Sequence, residues 1–150
     1  MNFPKAKSYD LERFITAQQP VISQVYAELR SGRKQSHWMW FIFPQLMGLG
    51  RSELSQKYGI VSLGEAEHYL KHSILGSRIR ECTQLVNQIE GATIREIFGR
   101  PDDLKFHSSM TLFAHATAEN KVFLDSLKKY FNGEFDQTTL GKLSLMKASQ

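Results

Sequence analysis

Two stretches of this chain hold most of the side chains that could do chemistry. The first runs Arg33-Lys34-Gln35-Ser36-His37-Trp38-Met39-Trp40-Phe41-Ile42-Phe43-Pro44-Gln45 and contains both tryptophans of the protein. The second, about sixty residues later, supplies Asp102, Asp103, Lys105, His107, Ser108, Ser109 and Thr111. A guanidinium and an ammonium neutralise phosphate or carboxylate, hydroxyls orient it, and an indole stacks on a ring. Arg33, Lys34, Ser36, Trp38, Trp40 and Gln45 are therefore candidate ligand-binding residues, with Asp103, Lys105, Ser109 and Thr111 as the facing wall. The ligand they suit is a small anionic, nucleotide-like metabolite, bound or, as a further reading, also hydrolysed. His37 is the candidate catalytic residue, because imidazole is the side chain suited to proton transfer near neutral pH. Asp103 and His107 stand four apart, on one face of any helix through them, and could form an orienting pair. The same residues also have a purely structural reading, with Trp38, Trp40, Phe41 and Phe43 as core. Ser108, Ser109 and Thr111 would then be small helix-interface residues and Asp102 a helix cap.

Other spacings carry less. Glu65, His68 and His72 have metal-ligand residue types at i, i+3 and i+7, but Lys71 beside them disfavours a dication, and a solvated helix face is the simpler reading. Gly48 and Gly50 follow no strand and form neither a dinucleotide loop nor a Walker loop, so they read as a turn. No cofactor and no metal site is expected. The one cysteine, Cys82, lies in a helical pattern and reads as a small buried hydrophobe.

The bulk numbers bound the setting. A chain of 150 residues is the usual size of one domain, and 41% hydrophobic with 23% charged residues is ordinary for a packed globule. There is no run long enough for a membrane helix, and Met1 to Lys5 lacks the apolar centre of a signal peptide. With a single cysteine, these features point to a cytoplasmic protein. The net charge of +4 tolerates an anionic ligand. The positive residues are scattered rather than gathered in one groove, which argues against nucleic acid as the partner. A helical protein-interaction module is the main alternative to a ligand-binding domain, and the sequence names no protein partner.

The elements that must position these residues are helical. Asp10 is placed to cap a helix through Leu11, Phe14 and Ile15. A second helix carries Val21, Ile22, Val25, Tyr26 and Leu29 and stops at Ser31-Gly32. Pro44 interrupts any helix through the aromatic stretch. A short helix is expected over Ser52 to Tyr58, and Ser62 with Glu65 reads as a capping box for the next. A longer helix spans Ile74 to Ile89, buried through Leu75, Ile79, Cys82 and Val86. Thr93 with Glu96 repeats the capping box. Asp102 and Asp103 look like acceptors for the first turn of a helix through Phe106, Met110 and Phe113. Further helices follow at Asn120 to Phe131 and from Thr138. No alternating strand, internal repeat or linker breaks the pattern. The reading is all-α: a single compact domain over 1–150 with about seven to nine helices, several short, and residues 1–8 as a loosely ordered lead-in.

The segment Gly32 to Gln45 followed by Gly48-Leu49-Gly50 resembles the bacterial family known as domain of unknown function 1810, whose members sometimes carry the label "calpastatin". Tyr58-Gly59-Ile60, Leu75-Gly76 with Arg78, Ile97-Phe98-Gly99, Pro101-Asp102-Asp103 and Ser108 to Phe113 extend the likeness, which covers about Asp10 to Leu143. The resemblance implies a small, mainly helical domain and brings no established activity. The calpastatin label does not fit: inhibitory segments of that kind are long, disordered and poor in aromatic residues.

Overall fold

A computed structural model describes residues 8–148. The lead-in expected over residues 1–8 falls outside it, apart from Ser8. Among the described residues the chain is built from ten helices and no strand, and seven of the helices have seven residues or more. They are α1 (Glu12–Gln18), α2 (Ile22–Ser31), α3 (Met39–Ile42), α4 (Glu53–Lys57), α5 (Leu63–Lys71), α6 (Ser73–Asn87), α7 (Ile94–Phe98), α8 (Asp102–Ala114), α9 (Lys121–Phe131) and α10 (Gln137–Ala148). The all-α reading holds.

Helix α8 is the centre of the assembly. It packs against α5, α7, α9 and α10, and its five consecutive residues Met110 to Ala114 are all buried. A helix covered on every side has no polar face to display, which is why this one looks apolar all round its second half. Helix α6 packs on α1, α2, α5 and α9 through the expected stripe of Leu75, Ile79, Cys82 and Val86. The two chemistry-bearing stretches meet through their rings. Phe43 stands edge-on to Phe106 at 5.0 Å between centroids, and Phe98 stacks on Phe106 at 4.9 Å. Edge-to-face and offset pairs of this kind are the favoured aromatic geometries.

Several helix ends differ from expectation in how their side chains are paired. Helix α1 starts at Glu12 without a side-chain cap, and the Asp10 carbonyl instead accepts from Arg13 Nη1. Ser62 does cap α5 by accepting from the Glu65 N–H at 3.2 Å. The Glu65 carboxylate, however, does not complete the box; it accepts from Val61 N at 2.8 Å and from Arg13 at 2.9 Å. The Thr93–Glu96 box is complete. Neither Asp102 nor Asp103 caps α8. The Glu65–His68–His72 stripe is broken up as well. Glu65 is buried, His68 bonds the Gly64 carbonyl, and His72 ends α5 and caps α6 through Ile74 N and Leu75 N.

Candidate functional site

The loop between α2 and α3, residues 33–38, is organised around one carboxylate. Glu28 lies on the apolar face of α2 beside Leu29 and is buried. Its two oxygens accept from Gln35 N (2.6 Å), Ser36 N (2.9 Å), Ser36 Oγ (2.6 Å), Trp38 Nε1 (3.0 Å) and Gln24 Nε2 (3.0 Å). Burial by itself pushes this carboxyl up. The bonds from Ser36, Gln35 and Trp38 outweigh it and hold the group near pKa 2. Gly32 supplies the left-handed turn (φ 87°) that lets the chain fold back onto its own helix. The Lys34 N–H donates to the Ile97 carbonyl at 2.8 Å, which ties the loop to α7.

From this loop the Lys34 ammonium reaches the start of α8. It pairs with Asp102 Oδ2 at 2.9 Å, with its side chain only 8% exposed, and lies 5.2 Å over the Trp38 ring. The other Asp102 oxygen faces Lys105 at 3.6 Å. One carboxylate therefore serves two ammonium groups, and the cluster carries a net positive charge. Lys105 has the looser contact, and its Nζ sits 4.7 Å over the indole of Trp40. This is a favourable cation–π distance.

Lys105 and Gln45 together separate two adjoining cavities. On one side lie Met39, Trp40, Phe43, Leu54, Ser55, Tyr58 and Gly59. On the other lie Leu49, Gly50, Pro101, Leu104, His107, Ser108, Asp136 and Thr138. The aromatic cavity has a free volume of only about 10 Å³, while the larger one, of mixed lining, offers about 410 Å³. Gln45 is fixed by the loop that carries it: Ile60 N donates to the Gln45 carbonyl and Met47 N to the Ile60 carbonyl, both at 2.9 Å. In the larger cavity Asp136 caps α10, with its Oδ2 accepting from Thr139 N, Thr139 Oγ1 and Ser108 Oγ.

The residues expected at the site divide cleanly. Trp40, Gln45 and Lys105 line the two cavities. Lys34 joins them through Asp102, and it is Lys34 rather than Arg33 that converges on Lys105. Arg33 and His37 are exposed and line neither cavity. Trp38 is 1% exposed with its N–H on Glu28, so it is core and cannot stack on a ligand. Ser36 is consumed by Glu28 and Gln24. Ser109 and Thr111 belong to no wall: both are fully buried, and Thr111 donates to the His107 carbonyl and accepts from Asp136 N. Asp103 is buried against Arg100 at 3.0 Å. It makes no pair with His107, whose ring stacks on Phe131 at 4.0 Å and bonds the Glu134 carbonyl.

The sequence reading missed Glu28, Tyr58 and Asp136. Glu28 left a signal, since it falls three residues after Val25 on an apolar stripe, where a lone carboxylate needs partners. Tyr58 and Asp136 left none, because their place depends on how distant loops fold over α8.

The geometry defines a class before it defines a relative: an all-α domain with a cationic, tryptophan-lined groove where the loop after α2 meets the start of α8. The family model described as "Protein of unknown function (DUF1810)" matches residues 8–143, and the chain belongs to that family. A crystal structure of a conserved hypothetical protein from Mycobacterium tuberculosis is 57% identical, with a TM-score of 0.90 over 91% of this chain and 97% of that one. No curated protein matches the chain.

Proposed function

We propose that this chain is a small-molecule-binding domain whose site is the double cavity divided by Gln45 and Lys105. One observation carries the reading. The cationic stretch and the start of α8, far apart in sequence, converge so that Lys105 faces a cavity of about 410 Å³ with a partly exposed Trp40 beneath it. That volume lies within the range of roughly 300–1,000 Å³ typical of ligand pockets. The ligand is anionic, because Lys34 and Lys105 share only the charge of Asp102. The reading is one of binding; His37 stands outside the groove, and no step of hydrolysis is assigned. No described helix is long and apolar enough to cross a membrane.

A thermal-shift screen tests this with nucleotides, sugar phosphates and carboxylates on wild type, Lys105→Ala and Trp40→Phe. A ligand at about a hundred times its Kd stabilises the fold by about 2.7 kcal/mol. For a domain of this size that is a rise in Tm of roughly 5–11 °C. A smaller shift for the anionic ligand in folded Lys105→Ala supports the site, and an equal shift in the variant rejects it. A second reading, a protein-interaction surface, is favoured by the exposed Leu54 and Leu104 beside the two cavities. It predicts that Leu104→Asp, with no ligand present, abolishes a stable complex or self-association.

A further inference from the structure

We infer that Lys105 decides what the groove admits: the ligand joins a planar ring to an anionic group, and the ring reaches Trp40 only when the anion has drawn Lys105 away. This rests on the binding reading above and adds the ligand's chemistry and the residue that selects it.

The argument starts from the unequal cavities. In the aromatic cavity the free volume of about 10 Å³ is at the limit for one water molecule, far below what a ring needs. The charged group on its wall is Lys105. Lys105 has a flexible four-carbon stem, and its ammonium holds Asp102 at only 3.6 Å. The same ammonium lies over the Trp40 face, 4.7 Å away. Lys105 also borders the larger cavity, which is open and of ligand size. An anion there would attract the ammonium across the boundary. Asp102 would not be left as an unpaired charge, because Lys34 stays on it at 2.9 Å. The movement exposes the Trp40 face and makes room beside Tyr58 and Phe43 for the ring. A neutral ring has no such lever, because it must displace a cation from the indole unaided. Asp136 limits the anion's position. It also lines the larger cavity, so the charge belongs next to Lys105 and hydroxyls or amines next to Asp136.

The test compares AMP with adenosine by equilibrium dialysis on wild type, Lys105→Ala and Lys105→Arg. The Trp40 indole N–H resonance, assigned with Trp40→Phe, follows the ring. Wild type and Lys105→Arg should bind AMP at least about tenfold more tightly than adenosine, with Trp40 shifting only for AMP. In Lys105→Ala the two affinities should agree within about twofold, and adenosine should bind more tightly than it does to wild type. That gain is the decisive outcome, since mere loss of a positive charge would weaken AMP without helping adenosine. If adenosine shifts Trp40 in wild type as AMP does, the groove is a ring site but Lys105 does not control admission. An AMP preference that survives in Lys105→Ala overturns the inference in the same way. If neither probe moves Trp40 in any form of the protein, the groove is not a ring site, and the binding reading falls with the inference.

Discussion

Replacing Glu28 with Gln keeps the size of the side chain and removes its charge, and the expected effect can be worked from the site. The carboxylate collects five donors in a buried position. Its pKa falls from 4.5 to about 2 on folding. That lowering corresponds to roughly 3 kcal/mol of stability at neutral pH. The sign follows from the direction. With the folded pKa lowered, the contribution is complete above the unfolded value near 4.5 and is lost as pH falls towards 2. An amide in the same place turns one acceptor into a donor that faces Ser36 or Gln24, so Glu28→Gln should lose roughly 2–4 kcal/mol. Urea unfolding of both proteins at several pH values reads the difference, and other carboxyl groups cancel in the comparison. The gap between wild type and variant should shrink by about 2 kcal/mol from pH 7 to pH 3. A gap below about 0.5 kcal/mol at pH 7, or one that stays constant down to pH 3, would refute the claim that this carboxylate organises the loop.

Two further predictions concern the frame around the groove. Arg13 donates to the carbonyls of Lys57 and Gly59 and to Glu65, which is 2% exposed. Arg13→Met leaves that carboxylate short of its partner and should lower stability by about 3–5 kcal/mol in urea unfolding, with part of the loss recovered in Arg13→Met/Glu65→Met. A double variant no more stable than the single one would contradict this account. Cys82 is fully buried, and burial raises its thiol to about 12. It should not react with a thiol reagent in native buffer and should react fully once the chain is unfolded; rapid native labelling would show that α6 opens far more readily than its packing implies.

The legible part of this protein is its helices, because apolar spacing is a local property. The stripes on α2 and α6 predicted Val25, Leu29, Leu75, Ile79 and Val86 as core, and all five are buried. Gly32 and the Thr93–Glu96 box marked real helix ends. Three of the four failed caps share one cause. Asp10, Glu65, Asp102 and Asp103 were read as partners of nearby backbone. In three of these, the side chain instead serves a cation brought in by the fold or held beside it: Arg13 for Glu65, Lys34 for Asp102, Arg100 for Asp103. A charge-assisted bond is roughly twice as strong as a neutral one, so a carboxylate that can reach an ammonium or guanidinium is drawn to it in preference to a cap.

The aromatic stretch shows the division most sharply. Its composition alone required that it be buried or line a cavity, since so many rings are not left in water. Pro44 alone limited α3 to a single turn. Which tryptophan became core and which met the groove was a tertiary decision. Trp38 turned its N–H to Glu28, and Trp40, two residues on, came to lie beneath Lys105 from α8. Sequence determined the inventory of rings and charges, because side-chain chemistry and periodicity are carried by each segment. The structure decided their partners, because Coulomb attraction and packing act through space, and only the folded chain brings residues 28, 34, 40, 102 and 105 to one place.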